Sequence, residues 1–152
     1  LNFSRQSVKK YFVTFAEHGE PDLRKSYKIL VAEDNELMLE LLSTEVREFL
    51  VDVKLTLASD GLEAMKQAMS QPFDLIVSDN VMPGMLGSTV LREVRSGSGP
   101  NQNTPFIFCS GNFSLEELKG IKDCYVLQKP FDMKKLHALL DRILQVENPH
   151  FA

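Results

Sequence analysis

The sequence predicts a doubly wound α/β domain, a five-stranded parallel sheet with helices on both faces. Three observations predict it. From Lys28 onward, short apolar runs alternate with stretches of helical spacing. Five such strand-then-helix units follow one another, the pattern of a parallel sheet built by right-handed crossovers. Polar groups close four of the runs: Glu33-Asp34, Asp79, Ser110 and Lys129. All four fall at carboxyl ends of strands, the rim where ligands sit in such sheets.

The elements follow in order. Ile29 to Ala32 is a continuous apolar run, as a central strand covered on both faces requires. Asn35 can cap a helix to about Phe49, with Leu37, Leu41, Val46, Phe49 and Leu50 expected toward the core. Val51, Val53, Leu55 and Leu57 alternate with Asp52, Lys54 and Thr56, which marks an edge strand with one wet face. Asp60-Gly61 opens a helix to about Ser70, carrying Leu62, Met65, Ala68 and Met69, and Pro72 ends it. The strand 74–78 leads into Asp79 and a Pro83-Gly84 turn. A helix over 88–95 precedes a polar loop, 96–104. Phe106 to Cys109 is the fourth strand, Ser114 caps a short helix that Gly120 weakens, and Tyr125 to Gln128 is the fifth strand. Asp132 caps a last helix with Leu136, Leu139, Leu140, Ile143 and Leu144 on one stripe.

Residues 1–26 differ from the rest and read as an extension or linker: Tyr11 to Phe15 is apolar, and Gly19-Glu20-Pro21 breaks any element. The chain starts at Leu1, which leads us to expect a piece of a longer protein, such as the C-terminal part of a hybrid histidine kinase. The domain proper is expected over 27–147, with a tail at 148–152.

Composition narrows the function. The 152 residues and 43% apolar content fit one ordinary core. A net charge of −4, from 17 basic and 21 acidic residues, argues against direct nucleic-acid binding. No run approaches a membrane span or a secretory signal, so a cytoplasmic location is expected. Cys109 and Cys124 form no CxxC motif and are read as buried thiols. They fall at opposite ends of neighbouring strands, a strand length of ~13–17 Å apart. A disulfide needs Cα atoms within ~7 Å, so no bond is expected between them. His18, His137 and His150 are scattered and make no triad or zinc site.

The rim residues define a chemistry. Asp34 and Asp79 can each give an oxygen to Mg²⁺ (or Mn²⁺), Glu33 can hold a bound water, and the Val81 backbone carbonyl can complete the protein's share. Asp79 is then a carboxylate nucleophile toward a phosphoryl donor. The Lys129 ammonium can stabilise charge on the transferring group, Ser110 can hydrogen-bond the product, and Gly111 allows close backbone approach. Singly, each has an ordinary use: Asp79 in a turn, Asn35 as a cap, Lys129 in solvent, Ser110 in a loop. Their order along the chain carries the site reading.

Ile-Leu-Val-Ala-Glu33-Asp34-Asn35, Leu-Ile-Val-Ser-Asp79-Asn-Val-Met-Pro83-Gly84, Phe-Cys-Ser110-Gly111 and Lys129-Pro130-Phe131 together resemble the receiver domain of two-component response regulators, known from bacteria. The resemblance covers about 27 to 147 and implies a flavodoxin-like sheet of order 2-1-3-4-5. It implies Asp79 as phosphoacceptor, Glu33 and Asp34 as the acidic metal pair, Ser110 as switch hydroxyl and Lys129 as phosphate partner. It implies a phosphohistidine on a sensor kinase or phosphotransfer protein as donor, and no enzymatic activity beyond self-phosphorylation and autodephosphorylation. The last helix face is a candidate dimer surface. Three positions depart from the family's habit. The acidic pair is Glu-Asp. Leu86 stands where Asp is frequent, for which a local effect is expected. Val126 stands where an aromatic is usual, with Tyr125 one residue off and on the other face.

Other classes fit less well. A receiver-like interaction module without phosphate control would normally have lost Asp34, Asp79 or Lys129. A haloacid-dehalogenase-like phosphatase wants a second Asp where Val81 stands, and a P-loop GxxxxGK[ST] is missing. A flavodoxin phosphate loop would be repelled by Glu33-Asp34.

Overall fold

A computed structural model of the chain describes residues 26–111 and 114–146. Tyr11 to Phe15, the 18–25 stretch, His150 and the 148–152 tail lie outside these residues. Five parallel strands form one sheet in the order β2-β1-β3-β4-β5. They are β1 (Tyr27–Ala32), β2 (Val53–Ala58), β3 (Leu75–Asp79), β4 (Phe106–Ser110) and β5 (Cys124–Gln128). Between them run α1 (Glu36–Phe49), α2 (Gly61–Ser70) and α3 (Gly87–Ser96), and α4 (Met133–Leu144) follows β5. Between β4 and β5 the described residues form only a 3-10 turn, Leu115–Leu118, with Ser114 accepting from the Glu116 amide at 3.3 Å. A short segment between Ser114 and Gly120 has no room for the periodic apolar face that sustains a long helix.

Strand alternation divides the core in two. Ile29, Val31, Val77, Ile107 and Leu127 point to the face covered by α1 and α4, against Leu42, Val46, Leu136 and Leu140. Leu30, Ile76, Phe106 and Phe108 point to the face covered by α2 and α3, against Ala64, Ala68, Val90 and Leu91. The three central strands are buried on both faces, which is why they read as unbroken apolar runs.

The helical stripes are shifted from the expected ones. On α1, Leu37 is 76% exposed and Leu41 is also exposed, while Leu42, Ser43 and Val46 face the core. The cap is the expected one, Asn35 accepting from the Met38 amide at 3.1 Å, so the difference lies in which side of the helix meets the sheet and not in where the helix starts. Ser43 is tolerated inside because its hydroxyl donates to the Leu39 carbonyl at 2.6 Å. On α2, Leu62 and Met69 are exposed, and Gly61, Ala64 and Ala68 make the contact. At the edge strand, Val51 lies outside β2 and is 90% exposed, and Leu57 is exposed as well. An edge strand covers only part of its apolar row, so alternation overstates its burial. The α4 stripe is as expected: Leu136, Leu140 and Leu144 are buried, and Leu139 and Ile143 pack beside them. That stripe is therefore used in the core, and none of the exposed large apolar side chains of the described residues lies on α4.

Cys109 pairs in register with Leu127, and Cys124 with Phe106, so the cysteines lie at opposite ends of the sheet and are free. Cys109 is buried, whereas Cys124 is only half-buried. Tyr125 sits on the α4 face with the Arg142 guanidinium 5.9 Å from its ring centre, away from the row of Val126.

Candidate functional site

Alternation also builds the site. Residues two apart share a face, so Ile29, Val31 and Glu33 form one row, Leu75, Val77 and Asp79 another, and Tyr125, Leu127 and Lys129 a third. Each row is apolar until its last member. Three charged groups therefore end up together at the carboxyl rim, above the α1–α4 side of the core.

The distances bear this out. The Lys129 Nζ lies 3.0 Å from Glu33 Oε2 and 3.2 Å from Asp79 Oδ2. Glu33 is 1% exposed and accepts from the Asn35 amide at 3.1 Å through Oε1. Asp79, the last residue of β3, is 7% exposed, and its Oδ1 accepts from the Val81 amide at 3.4 Å. Asp34 is exposed, and carboxylate oxygens of Glu33, Asp34 and Asp79 all lie within 4.8 Å of one another. Hard oxygen donors so disposed fit a hard divalent cation that keeps some of its water. Ser110 closes β4, is 4% exposed, and accepts from the Lys129 amide at 2.9 Å through its carbonyl. A side chain at Gly111 would meet nothing within 4 Å, so the rim is open there. The glycine answers no close approach within the chain itself.

Charge at the site is unevenly tolerated. Burial, helped by the Asp79 charge, holds the Glu33 carboxyl above its ordinary value, against the pull of the Asn35 amide and Lys129. Burial alone would lower Lys129, but its hydrogen bond to Glu33 and the Asp79 charge outweigh this and raise it. Beneath them, burial pushes the Cys109 thiol up to about 12, so it is inert packing under the site.

Sequence reasoning missed the support behind Asp79. The Ser78 hydroxyl donates to the Asp79 carbonyl at 2.8 Å. Gly87, the first residue of α3, packs so close that a Cβ would collide with that same carbonyl oxygen. Asn80 is buried, and its Oδ1 accepts from the Ser88 amide at 2.9 Å. One local signal was available: Leu86 leaves the start of α3 without a polar cap, and an Asn follows Asp79.

A family model described as "Response regulator receiver domain" matches residues 29–141. The chain belongs to the response regulator receiver family. It is 32% identical over 139 residues to "Transcription factor SKN7" of Saccharomyces cerevisiae, covering 88% of this chain and 21% of that protein. It is 31% identical over 120 residues to "Hybrid signal transduction histidine kinase G" of Dictyostelium discoideum, covering 76% of this chain and 3% of that protein. The chain thus spans about a fifth or less of the length of these two curated relatives. Among solved structures, the chemotaxis response regulator CheY4 of Vibrio cholerae is similar at 29% identity and a TM-score of 0.69, over 78% of this chain and 99% of that one. The receiver domain of sensor kinase PA1611 from Pseudomonas aeruginosa, 25% identical, has a TM-score of 0.66 over 80% of this chain and 100% of that one. It is described as having a magnesium ion coordinated in its active-site cleft. Among the described residues, no helix is long and apolar enough to cross a membrane.

Proposed function

We propose that this receiver is the phosphoacceptor of a two-component phosphorelay and that Asp79 is its single site of phosphorylation. The donor is a phosphohistidine on a sensor histidine kinase or a phosphotransfer protein, and the outcome is a change of protein–protein contacts. The observation that carries the reading is the convergence of Lys129 on both Glu33 and Asp79, with Asp34 completing the acidic cluster.

An Asp79 carboxylate oxygen attacks the phosphorus. The new O–P bond forms as the P–N bond to the donor imidazole breaks. The bonding pair returns to that nitrogen and leaves a neutral imidazole when its other nitrogen carries the proton. Glu33, Asp34, Asp79 and the Val81 carbonyl are the residues that would hold Mg²⁺ or Mn²⁺, which supplies positive charge to the phosphoryl oxygens. Lys129 supplies a second positive charge from the protein itself, and is free to follow the phosphoryl oxygens because it is only partly buried. Ser110 donates its hydroxyl to the aspartyl phosphate. The Glu33 partnership keeps Lys129 aimed at the rim in the unphosphorylated protein.

The test is labelling by radioactive acetyl phosphate in the presence of Mg²⁺. Wild type should take up base-labile label, and Asp79→Asn should take up none. Equal labelling of the two would refute the assignment.

A further inference from the structure

Helix α3 begins without a cap of its own. Its N-cap position is Leu86, whose side chain makes no capping hydrogen bond. The first amides of a helix have no partners within it and ordinarily take them from a Ser, Thr, Asp or Asn at that position. Here the partners come from the Asp79 turn instead. The Asn80 carbonyl accepts from the Gly87 amide at 2.9 Å. The Asn80 side-chain oxygen accepts from the Ser88 amide at 2.9 Å. Asn80 is itself anchored, since its amide donates to the Cys109 carbonyl of β4 at 3.3 Å.

Ser78 and Gly87 tighten the same joint. The Ser78 hydroxyl donates to the Asp79 carbonyl at 2.8 Å. The α carbon of Gly87 faces that carbonyl so closely that no other residue fits there. The end of β3, the backbone of Asp79 and the first turn of α3 are therefore one hydrogen-bonded unit. A cap at position 86 would move with its own helix. A cap at position 80 moves with Asp79.

We propose that Asn80 is a positioning residue that caps α3 from the Asp79 turn and so couples the start of that helix to the chemical state of Asp79. This rests on Asp79 being the phosphoacceptor. A phosphoryl group on Asp79 adds charge and new partners one residue from the cap. The Ser88 amide, held by Asn80, takes up the resulting movement. In a receiver capped at its own helix end, that link through a side chain is missing.

The experiment separates capping from coupling. Asn80→Ala, Leu86→Ser and the double variant are compared with wild type. Melting temperature is read first. Chemical-shift changes at the Gly87, Ser88 and Thr89 amides, on adding beryllofluoride to the Mg²⁺-saturated protein, are read second. Asn80→Ala should lower the melting temperature by about 5 °C, the scale of a lost cap. Leu86→Ser in that background supplies a local cap and should restore most of the loss. The beryllofluoride response of the Ser88 amide should collapse in Asn80→Ala and stay collapsed in the double variant. If Asn80→Ala alone fails to fold, the double variant carries the same reading. A full Ser88 response in either variant would overturn the proposal and leave Asn80 a stabilising cap only. A wild type that neither labels nor responds would instead overturn the phosphoacceptor reading beneath it.

Discussion

The two ends of the sheet treat buried polar groups in opposite ways. At the amino end, Asn101 is wholly buried and every hydrogen-bonding position of its amide is used. It donates to the Ala68 and Gln71 carbonyls at 2.6 and 2.7 Å, and accepts from the Phe73 amide at 2.7 Å and the Thr104 hydroxyl at 3.0 Å. These partners are neutral. At the carboxyl end the groups are charged: of three clustered carboxylates two, Glu33 and Asp79, share one ammonium, and Glu33 is held above its ordinary pKa by burial. The amino end is satisfied by the chain alone. The carboxyl end has an excess of negative charge that a cation would relieve. One end holds the fold, and the other is poised for a ligand.

Breaking the amino end should give the largest effect on stability and almost none on chemistry. Asn101→Ala leaves two carbonyls and one amide without a buried partner, and should cost about 2–4 kcal/mol in urea unfolding. Labelling of Asp79 at a temperature where the variant is folded should match wild type. A loss below about 0.5 kcal/mol, the usual scatter of surface substitutions, would show that water replaces the amide there.

This asymmetry also explains what was legible. The rim was legible because period-2 alternation is local: Glu33, Asp79 and Lys129 each end an apolar row, so chain order alone brings them to one face. The free cysteines follow from the same pattern of runs, whereas the sheet order was implied by the family resemblance and is the one observed. Asn101 was hidden in a stretch that reads only as polar loop, because its partners at Ala68, Gln71 and Phe73 are 28 to 33 residues away. Asn80 was harder to read: Leu86 signals a missing cap, but only the folded turn brings Asn80, eight residues earlier, onto the Ser88 amide. Helical spacing and strand alternation put Leu37 and Val51 toward the core, but apolar residues on a surface are ordinary, and tertiary packing decides which are covered.

Breaking the carboxyl end should do the reverse. Asp34→Ala removes an exposed member of the acidic cluster, so Mg²⁺ affinity should fall sharply while the metal-free melting temperature holds or rises. The pH dependence has a definite sign. With Glu33 raised from its ordinary value of 4.5, the folded protein holds that proton more tightly than the unfolded chain. Without cation, this contribution favours folding at and below pH 4.5 and is lost as pH climbs through the folded value. Cation binding runs the other way, because the proton must leave. The stabilisation by Mg²⁺, about 2.7 kcal/mol at one hundred times its Kd, should therefore shrink as pH falls toward that window. Glu33→Gln should flatten the part of the slope that Glu33 carries. A Mg²⁺ gain independent of pH in wild type would remove Glu33 from the linkage.

The smallest effect is expected outside both ends. Within the described residues the core closes on itself. β1 begins at Tyr27, whose amide donates to the Asp52 carbonyl at 3.1 Å. Next to it, the Lys28 amide donates to the Asp74 carboxylate, and the Asp74 amide returns a bond to the Lys28 carbonyl, both at 2.8 Å. The first strand is thus fixed at its outset by the residues that lead into β2 and β3. The matched family segment also starts at residue 29. Deleting residues 1–24 should accordingly leave the melting temperature within about 2 °C, the shift of a few tenths of a kcal/mol, and Asp79 labelling unchanged. Fusing a different sequence in their place should be equally silent. A drop on the scale of Asn101→Ala would mean that the apolar stretch Tyr11 to Phe15 completes the core, and that the amino end of the sheet is not self-sufficient after all.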